Sequence, residues 1–62
     1  MDSVTKSLIE VIGDSGYDIM IGNNVIEAID QKTGERFIIR CSNLYDGSVE
    51  LAEQVGIELE DG

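Results

Sequence analysis

The groups in this chain that could do chemistry are a thiol at Cys41, carboxylates at Asp14 and Asp18, and the acidic run Asp46-Gly47-Ser48-Val49-Glu50. A thiolate is a strong nucleophile, and the dipole at a helix N-terminus makes a thiol more acidic than usual. Cys41 closes an isoleucine-rich stretch and precedes a helix start at Ser42 or Asn43, a position that suits activation. Nucleophilic catalysis also needs a base at hand, and the sequence contains no histidine. Cys41 therefore reads as a small core side chain. The carboxylates are close together because acids are abundant, which gives their proximity little weight as general acid-base machinery. Neither acidic segment has the regular oxygen spacing of an EF-hand loop, and one cysteine without histidine supplies no structural zinc site. The residues point to a protein that is not an enzyme and needs no cofactor or metal.

Thirteen acidic side chains face four basic ones in 62 residues, a formal charge of -9. Phosphate binding depends on lysine and arginine, and only Lys6, Lys32, Arg36 and Arg40 are available, so direct contact with nucleic acid or an anionic membrane surface is not expected. No apolar run approaches the roughly 18 to 20 residues of a membrane span, and the opening Met1-Asp2-Ser3-Val4-Thr5-Lys6 lacks the regions of a signal peptide. The expected location is the cytoplasm, consistent with a lone cysteine in a reducing compartment. An apolar fraction of 42% with clear periodicity argues for a folded chain rather than a disordered one. At this size a domain buries only about 60% of the surface its unfolded chain exposes, so the core is thin. A single cysteine closes no internal disulfide, which leaves association with a second subunit as the remaining means of support.

The elements that position these residues follow from apolar spacing. Between Ser3 and Ile12, Val4, Leu8, Val11 and Ile12 recur at three and four, one face of a helix capped by Asp2 or Ser3. Gly13-Asp14-Ser15-Gly16 marks its end; no preceding strand or lysine supports a phosphate-binding loop there. Tyr17 to Ile21 reads as a short strand, Gly22-Asn23-Asn24 as a tight turn, and Val25 to Asp30 and Arg36 to Cys41 as two further strands. Gln31-Lys32-Thr33-Gly34 joins the last two, with Gly34 suited to a left-handed position. A second helix from about Leu44 to Val55 presents Leu44, Tyr45, Val49, Leu51, Ala52 and Val55 on one broad face, and Gly56 stops it with Ile57 folding back. Residues 58–62 read as a frayed tail.

These elements predict one small α+β domain spanning 1–62, in the order helix, two- or three-stranded antiparallel meander, helix, with both helices on one sheet face. Double-stranded-RNA-binding domains share that element order, and the likeness ends there, because they require basic contacts to phosphates and 2′-hydroxyls. If Asp30 and Glu35 flank the loop, Ala28 faces Phe37 and Ile26 faces Ile39, with Cys41 on the same apolar side. The other side then carries Val25, Glu27, Ile29, Arg36, Ile38 and Arg40. Closing the loop at Gln31 and Glu35 would instead bury Glu27 among apolar neighbours, an expensive place for an unpaired carboxylate.

The expected function is that of a small interaction module or regulatory subunit, docking on another protein or a second copy through this mixed sheet surface. The alternative is a nucleic-acid mimic, in which Glu10 and Asp14 on the first helix and Asp46, Glu50 and Glu53 on the second stand in for phosphates in a partner's basic groove.

Overall fold

A computed structural model describes residues 2–57, and the expected tail at 58–62 lies outside the described residues. The chain forms α1 (Ser3–Asp14), β1 (Tyr17–Gly22), β2 (Val25–Asp30), β3 (Arg36–Arg40) and α2 (Leu44–Val55). The three strands make one antiparallel sheet in sequence order. α1 packs on β1 and on α2, and α2 covers β2 and β3, so both helices share one face of the sheet. No helix among the described residues is long and apolar enough to cross a membrane.

α1 starts where the Asp2 carboxylate accepts a hydrogen bond from the Thr5 backbone N–H at 2.8 Å, which satisfies one of the orphan donors of the first turn. It runs through Gly13 to Asp14, two residues past the expected end, and reverses only at Gly16, whose φ of 102° an L side chain rarely adopts. α2 is capped by Asn43, whose side chain accepts from the backbone N–H groups of Tyr45 and Asp46. Its end is a Schellman arrangement. Gly56 takes a φ of 85° and the Ile57 N–H reaches back to the Ala52 carbonyl at 2.9 Å.

The core comprises Ile12, Ile26, Ala28, Ile39, Leu51 and Ala52, with Ile9, Ile19, Phe37 and Cys41 packed around it. Two helical faces differ from expectation. On α1 the buried positions are Thr5 and Ile12, with Ile9 against the core, while Val4 and Val11 stand exposed. The triples Thr5-Ile9-Ile12 and Val4-Leu8-Val11 have identical spacing and differ by one residue, a rotation of about 100° that periodicity alone does not fix. On α2 the buried positions include Gly47 and Ser48, and Tyr45 lies outward. The Ser48 hydroxyl donates to the Leu44 carbonyl at 2.8 Å, so its burial leaves no unsatisfied donor. Gly47 is where α2 meets the start of its own connection. A Cβ there would lie 2.8 Å from the Cys41 Cβ and 3.4 Å from Ile26 Cγ2.

The β2–β3 loop has the expected form. The Asp30 N–H donates to the Glu35 carbonyl, the Gly34 N–H donates to the Asp30 carbonyl, and Gly34 takes a φ of 77°. The Asp30 carboxylate accepts from the backbone N–H groups of Lys32 and Thr33, and these bonds hold its pKa below the usual carboxylate range. The Thr5 N–H and hydroxyl do the same for Asp2.

Two outcomes follow. Gly47→Ala should destabilise by about 1 to 3 kcal/mol although alanine is the better helix former, because the added methyl meets backbone-anchored atoms of Cys41; an unchanged urea midpoint would contradict this contact. Both carboxylates have depressed folded pKa values, so their stabilisation is complete above about pH 4 and is lost as pH falls through the folded value. Unfolding midpoints measured below pH 4 should therefore fall less steeply for Asp2→Ala with Asp30→Ala than for the parent chain, and identical slopes would show that the two caps do not contribute.

Candidate protein-docking face

The register fixes which side chains share the surface away from the helices. β2 pairs with β3 as Ala28 to Phe37, Ile26 to Ile39 and Glu27 to Ile38, and with β1 as Met20 to Glu27 and Asp18 to Ile29. Alternation along each strand then separates the two faces. Ile26, Ala28, Phe37 and Ile39 point to the helices, and on the same side the Tyr17 and Phe37 rings meet edge to face with centroids 6.1 Å apart. The outer face has three cross-strand rows: Asp18, Ile29 and Arg36; Met20, Glu27 and Ile38; and Gly22, Val25 and Arg40.

All six residues expected on the outer face lie there, and Met20 joins them. Ile38 is 58% exposed and Met20 56%, one on each side of Glu27, while Val25 and Ile29 are half-buried. Glu27 is mostly covered by these neighbours and is held by Arg36, whose Nε donates to Oε2 at 2.6 Å. Among the described residues this is the one ion pair. Asp18 and Glu27 balance Arg36 and Arg40, so the face is close to neutral in a chain of formal charge -9. Elsewhere among the described residues acidic side chains outnumber basic ones, with only Lys6 and Lys32 to set against them.

Met20 escaped the sequence reading because the first strand was not placed in register with the hairpin. The signal was present: a turn at Asn23 and Asn24, with Asn24 at a φ of 58°, pairs Gly22 with Val25 and so puts Met20 beside Glu27. Glu10, Asp14, Asp46, Glu50 and Glu53 are all exposed on the two helices. Cys41 is half-buried against the core, and its thiol makes no hydrogen bond to an acid or base among the described residues. A shallow open depression of about 340 Å³ beside it is lined by Asn24, Arg40, Cys41 and Ser42, with no titratable base among them. Among the described residues no three acidic or cysteine side chains converge as metal ligands would. The chain matches no protein-family model, no curated protein and no solved structure.

Removing one member of the ion pair strands the other. Arg36→Ala should lower stability by roughly 1 kcal/mol, and adding Glu27→Gln should return most of the loss, since the glutamine leaves no unpaired charge among Met20 and Ile38. Additive losses in a double-mutant cycle would show that the pair is not coupled.

Proposed function

We propose that the protein is a non-enzymatic interaction module that docks on another protein through its outer sheet face. The observation that carries this reading is the middle row: two exposed apolar side chains, Met20 and Ile38, flank a carboxylate already neutralised by Arg36. A partner covering that row buries apolar area without stranding a charge, which is the composition of an interface centre. Arg40 at the rim adds a donor for a partner's carbonyl or carboxylate. Electrostatics favours the same surface for a neutral or acidic partner, because elsewhere the described residues are net negative.

The test is capture of a partner from the source cell by the wild-type chain, by Ile38→Asp, and by Glu50→Lys with Glu53→Lys. This reading predicts capture that survives moderate salt, disappears with Ile38→Asp and persists with the helix reversals. Capture lost with the helix reversals and abolished by salt would instead mean that the acidic helices act as a phosphate mimic, and the docking reading would fall.

A further inference from the structure

We infer that β1 is a self-complementary edge through which two copies join into one six-stranded sheet. The polarity of each strand's backbone follows from three bonds. The Asn24 carbonyl accepts from the Cys41 N–H, the Asp30 N–H donates to Glu35, and the Asp30 carbonyl accepts from Gly34. Even-numbered residues of β2 therefore bond toward β3, and successive residues of an antiparallel strand bond in opposite directions, so odd-numbered ones bond toward β1. Their partners Asp18, Met20 and Gly22 turn inward to the sheet. The backbone groups of Tyr17, Ile19 and Ile21 point to the open edge, and among the described residues nothing accepts or donates to them.

An open edge is a template for another strand unless lysine, proline, a bulge or a cover blunts it. β1 has none of the first three, its single charge is Asp18, and it leaves Met20 and Ile21 exposed. A twofold axis at Ile19 pairs each edge-facing residue with an edge-facing residue: Ile19 with itself, and Tyr17 with Ile21 of the other copy. Asp18 then lies opposite Met20, so no like charges meet. The opposite edge behaves differently. On β3 the edge-facing residues are Arg36, Ile38 and Arg40, and the register that uses all three sets Arg36 against Arg40, which is repulsive. Joined at β1, two copies keep both outer faces on one side and in one plane. Asp18 and Met20 border both surfaces, but the pairing is made by edge-facing backbone groups and the docking by the outer side chains around Ile38, so each inference can fail without the other.

Amide hydrogen exchange of the wild-type chain, read at low and at high micromolar concentration beside its sedimentation mass, tests the pairing. The expected result is a doubling of mass accompanied by new protection at Tyr17, Ile19 and Ile21, with none at Arg36, Ile38 and Arg40, and association that strengthens as salt screens the shared negative charge. Ile21→Lys should weaken the association by about tenfold or more, whereas Ile38→Asp should leave it intact. A monomer at every concentration overturns the inference and leaves the docking face standing. So does a doubled mass without protection at the three β1 amides, or one lost with Ile38→Asp but kept with Ile21→Lys, which would place the contact on the sheet face instead.

Discussion

The parity of the β2–β3 hairpin is the constraint on which the rest of the molecule depends. Side chains alternate along a strand, so a slip of one residue exchanges the two faces completely. The loop that sets the parity is held by the exchange between Asp30 and Glu35, by Gly34 in a left-handed conformation, and by the Asp30 carboxylate bonded to the next two N–H groups. With that parity the helices meet Ile26, Ala28, Phe37 and Ile39, and the exterior receives Glu27, Arg36 and Ile38. Shifted by one residue on β3, Glu27 would stand opposite Ile39 and enter the core without a partner, at a cost comparable to the stability of a small domain.

Charge is the second constraint, and in the proposed reading it selects the surface that a partner covers. A chain this small gains little from its core alone, which is why the proposed function gives weight to a surface that another protein could cover. Most of the surface is negative. The sheet exterior, where two of the four cations balance Asp18 and Glu27, is the exception. In the proposed reading, stability and association draw on the same element: the sheet provides the floor of the core on one side and the near-neutral, partly apolar surface on the other.

Much of this was legible in the sequence, and the exceptions share a cause. Element order, the bounds of β2 and α2, the Gly34 and Gly56 stops and the hairpin register all follow from local signals, because glycine conformation, turn length and burial of Glu27 admit few solutions. The helix faces were less legible. Val4, Leu8 and Val11 outrank Thr5 in hydrophobicity, yet Thr5 is buried and Val4 and Val11 are exposed, because two stripes of identical spacing one residue apart leave the rotation of α1 to its packing partners. Gly47 is buried where α2 comes close to Cys41 and Ile26, which requires a surface without bulk, and hydropathy does not report close approach. Met20 was missed because its role depends on pairing between strands rather than on its own neighbours.

The most direct test of the account is a backbone Hα to Hα nuclear Overhauser contact across the hairpin. Glu27 and Ile38 occupy a non-hydrogen-bonded pair, in which the two Cα atoms are about 4.5 Å apart and their hydrogens nearly touch. The account predicts a strong contact between Glu27 and Ile38, with companions from Val25 to Arg40 and from Ile29 to Arg36. A contact from Glu27 to Ile39 in its place would mean the opposite parity, with Phe37 and Ile39 turned outward relative to Ala28, and would contradict both the core and the face described above.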